Sequence, residues 1–257
     1  AKIIFGENPL WSVCMPQLKM VSSKDFTDTI LQNYPEIKSF NLIAAGHGYS
    51  LSPDIMPIQV DKKYLKTPIM PFEMAEKAQI PVWVTEISDV TPLDISIQDG
   101  LKWAVTFHNY LTKANVSAIV WWGGAMPTAN NESLIILDKN RKDFLLSKRY
   151  DILGNFSRYI PEKSTRIQVT QSNGVPLLIS AYKKDNKYTL VTINPSGQTI
   201  QTSLRLDGAD INGSLKQYIT TEDSRWTETT IIQENKKNYN LTIPPFSVVT
   251  FVGKVRL

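Results

Sequence analysis

The stretch Ile80-Pro-Val-Trp-Val-Thr-Glu86-Ile-Ser88 decides how this chain is read. Val82-Trp-Val84 is short and apolar, the pattern of a strand buried on both faces. It runs into a carboxylate. A charge at the end of a core strand costs free energy unless it is paired or hydrogen-bonded. Glu86 therefore either marks where the strand leaves the core or is held there for chemistry.

Outward from this stretch, similar units recur. Lys2-Ile-Ile-Phe5 reads as a strand. The segment from Ser22 to Leu31 reads as a helix with a serine cap and acidic residues in its first turns. Asn41-Leu-Ile-Ala-Ala45 is a second strand, followed by a proline-rich connection and a short helix at Glu73-Met-Ala-Glu-Lys-Ala78. Ser96 to Ala114 carries Ile97, Leu101, Val105 and His108 on one helical side, with His108 a packing or surface residue. Ala118-Ile-Val-Trp-Trp122 is a fourth strand. Strands alternating with helices predict a parallel sheet with crossover helices.

Beyond Pro161 the pattern changes. Val175 to Tyr182, Lys187 to Ile193, Gln198 to Leu206 and Phe246 to Val252 are strand-like. Lys184-Asp-Asn186, Asn194-Pro-Ser-Gly197 and Asp207-Gly208 supply turn residues between them. No helical period competes, so antiparallel hairpins and a β-sandwich are expected. The expected domains are residues 1–160 and 161–257.

Composition narrows the chemistry. The chain has 257 residues, is 42% hydrophobic and carries a net charge of +4. Its basic residues are scattered, and the run Lys139-Asn-Arg-Lys142 has acidic neighbours, so it reads as a solvated loop, with no nucleic-acid partner. The one cysteine, Cys14, excludes an internal disulfide and a cysteine metal cluster, and the two histidines match no metal spacing. No apolar run approaches the roughly 18 residues of a membrane span. No phosphate-binding glycine loop or Gly-x-Ser-x-Gly elbow occurs. Asn115, Asn131, Asn155, Asn212 and Asn240 each open a glycosylation triplet.

Four strand–helix units are half of a (β/α)8 barrel, in which catalytic groups lie at the C-terminal ends of the strands. Those ends read Glu7-Asn8, His47-Gly-Tyr49, Glu86 and Trp121-Trp122-Gly-Gly. An acid, an imidazole, a phenol and indoles at one mouth suit a sugar, because rings stack on pyranoses and carboxylates serve as acid or nucleophile. Each also has a purely structural reading as a cap or a packed core-edge residue. Alternation along a strand lets only one of Trp121 and Trp122 face the pocket.

At this point the residues resemble glycoside hydrolase family 30. Ile80 to Glu86 resembles its nucleophile strand, and Ala45-Gly-His-Gly-Tyr49 its His-x-Tyr at strand six. Lys2 to Glu7 is similar to strand five, and Ala118 to Trp122 to strand eight. The segment from Ser147 to Ile160, with Arg166-Ile167, resembles the passage from the last barrel helix into the side β-domain. Leu241 to Phe251 is similar to that domain's closing strand.

The resemblance implies the second half of a (β/α)8 TIM barrel, strands five to eight, followed by an antiparallel β-sandwich side domain. It implies a retaining glycoside hydrolase acting on β-linked polysaccharide, with endo-β-1,4-xylanase or glucuronoxylanase activity favoured. Glu86 would be the nucleophile, His47 and Tyr49 its donors, and Trp121 or Trp122 a stacking wall, with Glu7 also at the sugar. No cofactor, metal or membrane is implied, and the location would be extracellular. The family's acid/base glutamate lies in an Asn-Glu-Pro motif after strand four. Here Gly6-Glu-Asn-Pro9 has those letters in another order, so the acid/base is expected from a missing N-terminal half-barrel or from a second copy. Other family 30 specificities (glucosylceramidase, β-1,6-glucanase, β-1,6-galactanase, xylosidase) remain open, as does a non-catalytic carbohydrate-binding protein.

Overall fold

The computed structural model describes all residues except 14–19, 52–68, 139, 141, 208–213, 233–237 and 256–257. The readings of Cys14, of Lys139 and Arg141, of the turn residue Gly208 and of Asn212 lie outside the described residues. Contacts divide the chain into two compact units. One holds Ala1–Asp94 and Asn109–Leu145, the other Ile95–His108 and Leu146–Leu257.

In the first unit, strands β1 (Ile3–Phe5), β3 (Leu42–His47), β5 (Val82–Ile87) and β6 (Ala118–Trp121) form a parallel sheet in the order β1-β3-β5-β6. Helix α1 (Ser23–Asn33) starts at a capping box: the Ser22 hydroxyl accepts from the Asp25 backbone, and the Asp25 carboxylate accepts from Ser22 N–H. Its Ser23, Thr27 and Leu31 are buried. A short pair joins β2 (Leu10–Val13) to β4 (Tyr49–Leu51). Helix α2 (Glu73–Lys77) precedes β5, and α3 (Ile97–Thr112) connects β5 to β6. Strands β7 (Ala125–Met126), β8 (Ile135–Asp138) and β9 (Asp143–Leu146) make a further small sheet.

The expectation that these strands are buried on both faces holds for β3, of which five residues are buried, and fails at the sides of the sheet. Ile3 and Ile4 on β1 and Val120 on β6 are each about half exposed. Both strands are outermost among the described four, so only one neighbour covers each. An aromatic cluster anchors the interior: Trp11 lies 4.4 Å from Phe72 and 5.0 Å, edge-on, from Tyr110.

The second unit is built on a six-stranded antiparallel sheet. Its strands are β10 (Thr165–Ile167), β11 (Leu178–Lys184), β12 (Lys187–Asn194), β14 (Ser214–Thr220), β15 (Thr227–Ile232) and β17 (Ser247–Lys254), in the order β10-β11-β12-β17-β14-β15. The strands β13 (Ile200–Leu204) and β16 (Tyr239–Ile243) pair separately. Tyr239, Leu241 and Ile243 from that pair share one apolar core with Leu215, Val249 and Phe251 of the larger sheet. Asp185, at a positive φ of 52°, turns β11 into β12.

Helix α4 (Lys148–Ser157) also belongs to this unit, capped by the Ser147 hydroxyl. Its buried Asn155 donates to Thr250 Oγ1 at 3.2 Å and accepts from Thr220 Oγ1 at 2.7 Å. Arg149, fully buried, pairs with Asp99 at 2.5 Å. His108 is buried as well. Among the described residues no helix is long and apolar enough to cross a membrane.

Candidate active site

Strand β5 carries the question with which the sequence opened. Against β3 its register runs Ala44 with Val82, Ala45 with Trp83 and Gly46 with Val84, then shifts so that His47 faces Glu86. Against β6 it runs Val84 with Ile119 and then Ile87 with Trp121. Both neighbours thus see one extra residue in β5 between Val84 and Ile87. A bulge of this kind re-aims a side chain and is common beside active sites. Here it sets Glu86 opposite His47, and Thr85 donates from Oγ1 to the Gly46 carbonyl at 3.3 Å.

The Glu86 side chain is a quarter exposed. Its Oε1 accepts from the Tyr49 hydroxyl at 3.2 Å and lies 3.3 Å from His47 Nδ1. On the far side of the imidazole, Nε2 lies 3.5 Å from Glu7 Oε1. The Tyr49 oxygen also meets Ser88 Oγ at 3.1 Å. Burial pushes the Tyr49 phenol above its ordinary 10.0; the Ser88 hydrogen bond opposes this and the Glu86 charge adds to it. Among the described residues no hydrogen bond reaches Glu86 Oε2. The two carboxylate oxygens therefore differ: Oε1 is held by surrounding groups, and Oε2 accepts no hydrogen bond among the described residues.

Backbone bonds hold the loop that carries these groups. Gly48 N–H donates to the Glu86 carbonyl at 2.6 Å, and the buried Tyr110 donates its hydroxyl to the Gly48 carbonyl at 2.9 Å. His47 N–H donates to the Asn8 carbonyl at 3.1 Å. That carbonyl also accepts from Ser23 Oγ at 2.8 Å, while Asn8 N–H donates back to Ser23 Oγ at 3.0 Å. The first turn of α1 thus pins the segment after β1 to the end of β3.

The structure brings Glu7, His47, Tyr49 and Glu86 into one chain of contacts. The tryptophans sit differently from each other. Trp121 is buried and donates its Nε1 to the Glu132 carbonyl at 2.9 Å. Trp122 is half exposed, its Nε1 on the Glu132 carboxylate at 3.0 Å and its backbone N–H on the Ile87 carbonyl at 3.0 Å. Sequence reasoning did not single out Ser88 or Glu132. Ser88 had a signal, since it stands two residues beyond Glu86; Glu132 had none, lying in an irregular segment.

A parallel sheet and an antiparallel β-domain in one chain is a fold shared with solved structures of GH30 xylanases. No protein-family model matches the chain. In sequence it is 26% identical over 180 residues to the glucuronoxylanase XynC of Bacillus subtilis (strain 168), covering 66% of this chain and 39% of that protein. In structure it is similar to a GH30 endoxylanase from Clostridium papyrosolvens C71, with a TM-score of 0.69 at 20% identity over 90% of this chain and 53% of that one. It is also similar to a conserved exported protein from Bacteroides fragilis, with a TM-score of 0.67 at 23% identity over 91% of this chain and 52% of that one. The chain spans about two fifths of the length of the curated relatives that it matches. The resemblance to family 30 stands, and the relatives are glycoside hydrolases.

Proposed function

We propose that this chain carries the nucleophile side of a retaining xylan hydrolase. The observation that bears most weight is the asymmetry at Glu86: Oε1 is engaged by Tyr49 and His47, and Oε2 has no partner among the described residues. In an ionised carboxylate so held, one oxygen is fixed by its neighbours and the other is left to act as the nucleophile. In the reaction assigned, Oε2 attacks the anomeric carbon and the glycosidic bond breaks. The leaving oxygen keeps the electron pair and takes a proton from a second carboxyl. Water, giving its proton back to that carboxylate, then displaces Glu86 from the sugar with net retention.

The second carboxyl is assigned to residues outside these. Retention needs the pair roughly 5–5.5 Å apart with the sugar between them, whereas Glu7 and Glu86 contact opposite nitrogens of one imidazole. The four parallel strands would then be strands five to eight of a (β/α)8 barrel, completed by an N-terminal half or by a second copy, and the second unit would supply a β-sandwich side domain. Trp122, half exposed, is the better of the two indoles for stacking on a pyranose, because Trp121 is buried. Xylan is the favoured substrate, on the likeness to the glucuronoxylanase. A polymer of that size is met outside the cell, and one structural relative is an exported protein.

The test is a pair of variants in the intact protein. Glu86→Gln keeps shape and hydrogen-bonding capacity but forms no glycosyl ester. Turnover of xylan should fall by several orders of magnitude, roughly as for removal of a catalytic nucleophile, with the fold retained. Azide should rescue Glu86→Ala and yield a glycosyl azide of inverted configuration. Retention of most of the activity by both variants would remove Glu86 from the mechanism.

A further inference from the structure

One contact in the site that the proposed chemistry leaves unused is Glu7 on His47. The Glu7 side chain is about half exposed, at 46%, and an exposed charge contact by itself contributes little. Two features make this one more than a surface pair. The first is how Glu7 is delivered. Gly6, at a positive φ of 81°, turns the chain out of β1, and a Cβ there would stand 2.2 Å from Thr27 Oγ1. The following Asn8 is tied by its carbonyl to His47 N–H. The fold therefore sets Glu7 and His47 against each other through the backbone. The second is where the contact falls. Glu7 meets Nε2 while Glu86 meets Nδ1, so the imidazole lies between two carboxylates.

A carboxylate oxygen accepts hydrogen bonds and cannot donate them once ionised, and a neutral imidazole donates from one nitrogen only. The contact on one ring nitrogen sets the role of the other. With an acceptor at each end, the ring satisfies both only when each nitrogen bears a proton. At 3.3 and 3.5 Å both contacts are longer than an ordinary N–H···O bond.

We propose that Glu7 is a positioning residue that acts on Glu86 through His47. It fixes the ring plane and holds a proton on Nε2, so that Nδ1–H is presented to Glu86 Oε1 and the attacking oxygen is left as Oε2. Among the described residues, the charged and titratable groups facing His47 are Glu7 after β1, Tyr49 on β4 and Glu86 on β5. This inference rests on Glu86 being the nucleophile and adds a residue whose effect is indirect.

Two readouts in the intact protein test it. The first is ring-nitrogen NMR, assigned against His47→Gln, which is direct because the chain has two histidines. The wild type shows a proton on each His47 nitrogen, and Glu7→Ala loses the one on Nε2. The second is the rate at which a fluorinated β-xylobioside with a dinitrophenolate leaving group labels Glu86. Such a leaving group departs without a proton, so the rate reports the nucleophile alone. Glu7→Ala and His47→Gln should each slow labelling by about tenfold or more, the scale of a misplaced reacting group. The double variant should be no slower than His47→Gln, since two residues that act as one do not add. An unchanged Nε2 proton in Glu7→Ala, an unchanged rate, or a double variant slowed by the product of the two single effects would overturn the proposal; the last would mean that Glu7 acts on the sugar itself. Absence of any label on wild-type Glu86 would instead fell the nucleophile reading, and the ring spectra would still decide whether Glu7 governs the His47 protons.

Discussion

At the scale of single residues, Tyr49 offers the clearest pH consequence. Its phenol is raised above its ordinary 10.0, first by burial. A folded value above the unfolded one means that the protonated form is favoured by the fold. The stability it contributes is fully present below the unfolded value, about 10, and is lost as pH rises through the folded value. The O–H donor to Glu86 is therefore in place throughout the neutral range. Tyr49→Phe should slow Glu86 labelling by up to about 100-fold, the scale of a misplaced reacting group. The ratio to wild type should stay constant with pH up to about 10; a ratio that collapses near neutrality would show that another group supplies the effect. The site was legible in the sequence at this scale because polar and aromatic residues stood where apolar strands ended. What the sequence could not give was the two-sidedness of His47, since which nitrogen meets which carboxylate is settled by a backbone turn at Gly6 and a bulge in β5. It also could not say which of Trp121 and Trp122 is buried, because alternation along a strand fixes only that the two face opposite ways.

At the scale of elements, close approach matters more than propensity. A Cβ on Gly46 would stand 2.5 Å from Ser23 Cβ and 2.4 Å from its Oγ. Ser23 Cβ sits on the first turn of a helix and cannot simply rotate away. Gly46→Ala should cost about 1–3 kcal/mol, as overpacking does, and should slow labelling as well, because Ser23 holds Asn8 and Asn8 holds His47. Denaturant unfolding of the variant measures the first effect. A variant as stable as wild type would mean that α1 is free to shift. Ser22→Ala removes the cap of the same helix and should cost about 1 kcal/mol with little change in labelling rate. The four parallel strands of residues 1–160 and the helices that follow them were readable because each is apolar or helically periodic. Strands β14 and β15 were not, since Lys216 and Gln217 or Glu228 and Thr229 interrupt the apolar signal where the strand turns to solvent. The pair β2 and β4 and the small sheet β7-β8-β9 are too short to carry a period at all.

At the scale of the whole molecule, a sequence boundary near Pro161 and the division by contacts differ by helix α4 and by Ile95–His108, which holds most of α3. Arg149 of α4 is fully buried against Asp99, and Asn155 is bonded into β14 and β17 through Tyr218, Thr220 and Thr250. Arg149→Met would remove the Asp99 contact at 2.5 Å and keep the Lys102–Asp99 contact at 3.4 Å. Breaking a buried pair in this way should cost about 3 kcal/mol or more, read by thermal unfolding; a loss under about 1 kcal/mol would mark the pair as incidental. The half-exposed apolar residues of β1 and β6 are what the proposed continuation of the sheet would cover, since open strand edges invite pairing. All of this serves one claim, that Glu86 is the group that forms the glycosyl bond. The direct measurement is mass spectrometry of the intact protein after reaction with the fluorinated dinitrophenyl β-xylobioside, followed by peptide mapping. The account predicts one added disaccharide, in ester linkage to the peptide that contains Glu86, and none in Glu86→Gln. A label on any other carboxylate, or an unlabelled protein that hydrolyses the same probe, would contradict it.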